Sequence, residues 1–234
     1  VRAVFAGACG RGDTALAGWV QNLYGMHIGA REITAQAGAA LAAGRADVWH
    51  FLCEKIDALP RANEIYAGLL PAALVNHRPE ALEKIRPHLS GPLGGFLHYP
   101  VTAGQTASLD WLLRAGLAND TITRSDTSRA LVQAATRGQT DMIALLLDAD
   151  ADPDAFGGAA IRHAGTHAGA DGGAGLAHLL RAGANPQTVI AAASGDAALC
   201  EKLAALAALV AEEFRTRLQA SCGQPAAAGL LRAY

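Results

Sequence analysis

Aromatic residues are scarce, at 5% of the 234 residues. That scarcity excludes a core built from a few large ring clusters, because small side chains each bury little area and need many close contacts to compensate. Cysteine is also scarce. Cys9, Cys53, Cys200 and Cys222 are widely and irregularly spaced, and no Cys-x-x-Cys pair occurs. This argues against a structural zinc site. The four thiols read as reduced, buried, small hydrophobes, which places the chain in a reducing cytoplasm, whether bacterial, viral or host. Nor is there a charge excess. With 19 basic and 21 acidic residues the net charge is −2. Such a balance offers nothing to neutralise a phosphate backbone, so nucleic acid is not the expected partner. No apolar run reaches the roughly 18 residues of a membrane span, and no membrane partner is expected.

Apolar residues nonetheless make up 51% of the chain, dominated by alanine alongside 26 glycines. Glycine inside a helix costs roughly 1 kcal/mol relative to alanine. Many glycines must therefore mark turns between many short elements.

Those elements repeat. Leu131 to Asp154 holds two short apolar-periodic helices, broken at Gly138 and followed by an Asp/Pro turn. Gly104-Gln105-Thr106 recurs as Gly138-Gln139-Thr140 after 34 residues. Leu112-Leu113-Arg114-Ala115-Gly116 recurs identically at Leu179 to Gly183 after 67, two periods on. Looser copies run through Ala6 to Leu23, Ala39 to Cys53, Ala72 to Leu82 (with Asn76 in the glycine's place) and Ala191 to Leu206. Gly116 and Gly183 are expected to take positive φ at the ends of second helices. Trp19, Trp49 and Trp111 all fall in second helices and are expected to pack in the core or between repeats.

A period of 33 to 34 with this pattern resembles the ankyrin repeat family. The unit at 128–154 carries the likeness best, through Ala134-Ala135, Gly138, Leu145-Leu146-Leu147 and Ala151-Asp152. In the unit at 95–120, His98 stands where the family has the histidine of its Thr-Pro-Leu-His signature. The likeness is closest over 95–187 and looser over 1–94 and 188–206. No unit has the whole signature, Asp150 replaces the usual glycine, and Pro100 falls inside a first helix. The resemblance implies an all-α solenoid of about six to seven helix–turn–helix repeats over 1–206. A more charged capping helix and tail would follow over 207–234.

It also implies function: a binding module that holds a partner protein on a concave face and on finger loops, here 119–127 and 153–158. Carried over by position, the contact residues are Arg124, Asp126, Gln133, Thr136, Arg137, Phe156 and His167, with Arg45 and His77 in the weaker units. Each also reads as a solvated surface residue; Phe156, a lone aromatic in a Gly/Asp loop, either anchors a partner or tucks under its own loop. The module is expected to be monomeric by itself, to need no cofactor and to catalyse nothing.

Two other readings compete. The chain is the substrate-reading piece of a larger adaptor or effector, or it is a divergent helical enzyme. The second rests on His163 and His167, whose i, i+4 spacing puts two imidazoles on one helix face near Asp171 or His178. Against it, no glutamate follows the first histidine. The Arg11-Gly12-Asp13 triplet and the glycine-rich stretch after Gly165 read as turns, since neither has the sequence context of an adhesion or phosphate-binding motif.

Overall fold

The computed structural model describes residues 1–167, 173–193, 196, 197, 199, 202 and 203. Over them the fold is all-α, with thirteen helices and no strand. No helix among them is long and apolar enough to cross a membrane. The proposed capping helix at 207–234 lies outside the described residues.

By its internal contacts the chain divides into two compact units, Val1–Gly91 and Pro92–Tyr234. Unit 1 holds three helix pairs: α1 (Arg2–Arg11) with α2 (Thr14–Tyr24), α3 (Ala30–Ala43) with α4 (Ala46–Asp57), and α5 (Ala62–Val75) with α6 (Pro79–Ile85). Unit 2 holds α7 (His98–Ala103) with α8 (Thr106–Leu117), α9 (Arg124–Thr136) with α10 (Thr140–Asp148), and α11 (Ala155–His167) with α12 (Ala174–Arg181), then α13 (Pro186–Ala193). Within each unit the first helices pack in a row, α1 on α3 on α5 and α7 on α9 on α11 on α13. Second helices pack likewise, α2 on α4 and α8 on α10 on α12. Fully buried Ala8, Ala37, Ala134 and Ala135 let the first helices approach closely. Leu52, Ile56, Leu109, Leu112, Leu146 and Leu179 fill the layer behind them, all fully buried.

One turn closes the first five pairs. The N–H two or three residues past the first helix donates to a carbonyl five residues back: Asp13 to Ala8, Arg45 to Ala40, Arg78 to Ala73, Gln105 to Pro100 and Gln139 to Ala134. This six-residue closure puts the residue before the donor in the left-handed region. Gly12, Gly44, Gly104 and Gly138 fill that position, and so does His77 at φ 45°. The turn residue of α5–α6 is thus His77, not Asn76, which keeps φ −96° and caps Ala72 with its side chain. The left-handed positions lie 32 and 33 residues apart in unit 1 and 34 apart between Gly104 and Gly138.

A second common turn joins successive pairs of unit 2. Thr121 donates to Gly116, Ala151 to Leu146 and Ala184 to Leu179, with Asp120, Asp150 and Gly183 in the left-handed region. Gly183 behaves as predicted; Gly116 does not. The α8 helix runs past Gly116, which stays helical and buried. It is glycine for a different reason: a Cβ there would sit 2.2 Å from Ile122 Cδ1. Identical five-residue words thus end in different conformations, because Asp120 takes over the turn.

Pro100 does not break α7. It is the third helical residue, where its missing N–H falls among donors the helix leaves free. Trp49 is buried and Trp111 half-buried, but Trp19 is 58% exposed, against expectation. The finger loop expected at 119–127 is shorter than predicted, since α9 already begins at Arg124, whereas the loop at 153–158 keeps its extent because Phe156, Gly157 and Gly158 take left-handed φ.

Candidate functional site

Three of the predicted contact residues meet in one groove of unit 2. Asp126 and Gln133 from α9 and Phe156 from α11 line a cleft of about 600 Å³ together with His98, Arg129 and the Gly94-Gly95 turn. Thr123 starts α9 with a capping box: its hydroxyl accepts from the Asp126 N–H, and Asp126 Oδ2 accepts from the Thr123 N–H at 3.0 Å. The Asp126 carboxyl so fills the space over Gly94 that a Cβ there would lie 2.2 Å from it. Asp126 is therefore a capping residue first and a groove wall second. Gln133 donates to Thr102 Oγ1 at 3.1 Å and ties α9 to α7.

Phe156 is the unusual member. Phe156, Gly157 and Gly158 form a left-handed turn at φ 55°, 65° and 71° before α11 proper begins. A bulky L-residue in that region is strained. The ring is also 55% exposed, so it does not tuck under its own loop. Arg162 Nη1 donates to Gly157 O at 2.6 Å and holds the turn from below.

Arg129 was missed in the sequence. It stands four residues before Gln133, on the same face of α9, and eight before Arg137, which caps the end of that helix; that spacing was the available signal. Among the described residues neither the Arg129 nor the Arg137 side chain has a hydrogen-bonding or ionic partner, and both residues are exposed. Asp126 shares the groove with Arg129, while Asp110, Asp141 and Asp148 lie on second helices and Asp120, Asp150, Asp152 and Asp154 in the turns.

The remaining predicted residues are distributed and partly committed. Arg124 donates to Asp150 O at 3.1 Å and pairs with its carboxylate at 3.5 Å, bracing the turn. Thr136 Oγ1 donates back to Val132 O at 2.8 Å. His167 Nε2 lies 2.6 Å from Thr136 O. Of its companions in the metal reading, His163 and the alternative third ligand His178 are described, while Asp171 lies outside the described residues; among those described, no three His, Cys, Asp or Glu side chains gather as metal ligands.

No protein-family model, curated protein or solved structure matches the chain.

Arg45 and His77 belong to unit 1, on a cleft of about 240 Å³ shared with Trp49 and Arg78. Arg45 Nη1 donates to Cys9 O at 3.3 Å, and Arg78 Nε donates to Leu41 O at 2.8 Å. In unit 2, Gln139 Nε2 donates to Val101 O at 2.8 Å from the same position after its turn. Each of these side chains reaches back to the carbonyl two residues before the end of the preceding first helix. Arg45 is accordingly a staple between pairs.

Unit 1 carries one further polar cluster. The Tyr66 hydroxyl, on a fully buried side chain, donates to Asp57 Oδ1 at 2.7 Å, and Lys84 Nζ donates to Asp57 Oδ2 at 2.8 Å. His88 stacks on the Tyr66 ring at 4.3 Å and bonds Asn63 at 2.6 Å. The Lys84 hydrogen bond, followed by that of Tyr66, holds the Asp57 carboxyl below its ordinary range against the opposing effect of burial. Burial and the Asp57 hydrogen bond push the Tyr66 phenol up. Burial likewise pushes the Cys53 thiol up to about 11, so it stays protonated at neutral pH. Cys9 and Cys53 are both buried and free, as expected; Cys200 and Cys222 lie outside the described residues.

Proposed function

We propose that the chain is an ankyrin-like protein-recognition module. It takes a segment of a partner protein along the exposed side of α9 and the start of α11, with Phe156 as the anchor. Phe156 carries this reading: a phenyl ring presented to water on strained backbone, lining a groove with the unpaired Arg129 side chain. A scaffold has no use for that arrangement, since glycine or asparagine would make the same turn at less cost. Aromatic and arginine side chains dominate the energetics of protein interfaces. Within unit 2 the rows of helices supply the support that such a surface needs, because buried Ala134, Ala135, Leu109 and Leu146 pack its helix pairs together.

The test is affinity capture with the wild-type chain and with Phe156→Ala and Arg137→Glu. Phe156→Ala should weaken retention of the captured protein by tenfold or more, a loss of about 2 kcal/mol typical of an anchor residue. Arg137→Glu should reduce it less. Urea unfolding should be nearly unchanged in both. Equal retention by all three chains rejects this surface.

A further inference from the structure

The staple between helix pairs needs one N–H. In unit 2 Gln139 supplies it from an uncharged amide, to Val101 O at 2.8 Å. Unit 1 uses arginine twice for the same task, Arg45 to Cys9 O and Arg78 to Leu41 O. A guanidinium brings several N–H donors and a permanent charge. Each arginine uses one donor here, and among the described residues neither side chain has a further hydrogen-bonding or ionic partner. Both residues are half-buried, where an uncompensated charge is costly. Gln139 makes the same bond without that charge, so the staple does not account for it.

Both arginines line one cleft of about 240 Å³ that lies wholly inside unit 1. The rest of its lining is mostly apolar, with Leu41, Trp49, Pro79 and Ala81. Trp49 is only 3% exposed, and its indole N–H has no hydrogen-bond partner among the described residues. The enclosed side-chain atoms left without a partner are Gln21 Oε1 and Gln139 Oε1. The indole nitrogen is not one of them, so it keeps contact with open space, and the cleft is the open space that Trp49 lines. An indole N–H on a buried ring ordinarily finds an acceptor. His77 lines the cleft as well, at φ 45° where the other four turns of this kind have glycine. Glu80 is the acid of the lining, 3.5 Å from His50.

We propose that this cleft binds a small organic acid, one carboxylate on an apolar body. The uncommitted groups, two guanidiniums and an indole N–H, all donate, so the ligand has to accept. Guanidinium and carboxylate pair fork to fork. Two guanidiniums against the Glu80 carboxylate leave a single positive charge, which suits a carboxylate better than a doubly charged phosphate. The apolar lining takes the body of the ligand. A cleft of about 240 Å³ holds one ring or a short branched chain, below the size of drug-like ligands. This does not rest on the Phe156 groove, which lies in the other unit.

Titration of benzoate into the full chain, followed by the Trp49 indole N–H resonance in a nitrogen-15 spectrum, tests it. Trp49→Phe assigns that resonance by its disappearance. Benzoate should shift it saturably, with a dissociation constant of about 1 mM or tighter. Benzamide has the same shape without the charge and should bind at least about tenfold more weakly. Acetate, the end of an acidic side chain, should also be weaker by about tenfold, since it leaves the apolar lining empty. Arg45→Gln and Arg78→Gln put the Gln139 side chain type at each staple, so both should unfold near the wild-type urea midpoint. Each should nonetheless weaken benzoate by about tenfold. The benzamide and acetate arms use the wild-type chain and decide the matter whatever the variants do to folding. A Trp49 resonance that benzoate leaves unmoved at about 10 mM overturns the proposal. So does benzamide binding as tightly as benzoate, or benzoate binding unchanged in both arginine variants. Acetate binding as tightly as benzoate overturns the assignment to a free apolar acid and leaves the cleft to a carboxylate of a partner protein.

Discussion

Two left-handed turns, one in each unit, are built for opposite ends. At Gly44 in unit 1 the backbone takes φ 70° with the one residue that does so without penalty, and the space above it is occupied. A Cβ on Gly44 would lie 2.6 Å from Arg78 Nη2, the guanidinium that staples the third pair to the second. At Phe156 in unit 2 the backbone takes φ 55° with a residue that is strained there, and its ring faces water. The scaffold explains the first choice and gives no reason for the second. In unit 1 the buried Tyr66 hydroxyl is satisfied by Asp57 at the surface. Unit 2 leaves Phe156, Arg129 and Arg137 exposed. The difference teaches where to look for function: strain that a fold needs is hidden under partners, and strain that it does not need points outward.

The comparison breaks most visibly at Gly44. Gly44→Ala should cost about 2–4 kcal/mol, combining left-handed backbone strain with loss of the Arg78 hydrogen bond to Leu41. Urea denaturation measures it as a lowered midpoint at unchanged slope. In an Arg78→Ala background the same change should cost less, because the two share one contact. Full additivity would separate the glycine from the staple.

Next in size is the cluster of Tyr66, Asp57 and Lys84. Asp57→Ala leaves the Tyr66 hydroxyl buried with only the Cys53 carbonyl at 3.4 Å, and should cost about 1–3 kcal/mol. Asp57→Asn, which keeps an acceptor, should cost less. The pH dependence has a definite sign. Asp57 is depressed in the folded state by Lys84, so its contribution is present above the unfolded carboxylate value of about 4 and is lost as pH falls through the lower folded value. The side chain is 44% exposed, so solvent screening keeps that contribution small. Wild type should lose this stability on acidification, and Asp57→Ala should show a flatter profile. Identical acid profiles would show that the cluster contributes nothing. None of these changes should alter partner capture.

Much of the helix-pair pattern was legible because it rests on local rules. Gly12, Gly44, Gly104 and Gly138 each follow a small-residue helix, and positive φ at a helix end is a demand that sequence shows directly. Asp150 was legible as a glycine substitute for the same reason. The failures came where a contact distant in sequence decides. Gly116 sits in the same word as Gly183, but Ile122 packs against it and moves the turn to Asp120. Arg45 looked like a surface residue because its acceptor, the Cys9 carbonyl, lies 36 positions away. Trp19 matches Trp111 in register, and nothing local shows that its face is left open. Of the site, Phe156, Gln133 and Asp126 were placed from repeat register. Their meeting with His98 and Arg129 depends on how α7, α9 and α11 pack side by side, which spacing along one helix does not report.

The smallest stability effect gives the sharpest form of the comparison. Phe156→Asn puts at the left-handed position a residue that visits that region readily. Relief of strain there is worth about 1 kcal/mol, and loss of the covered part of the ring offsets some of it. The net change in unfolding free energy should lie between about 0 and +1 kcal/mol. Partner retention should meanwhile fall by tenfold or more. Opposite movement of the two readouts is what a strained contact residue requires, since the strain is tolerated only for the sake of the ring it presents. If Phe156→Asn instead lowers stability by more than about 1 kcal/mol, the ring is packing its own loop. Phe156 would then resemble Gly44, a residue the scaffold needs.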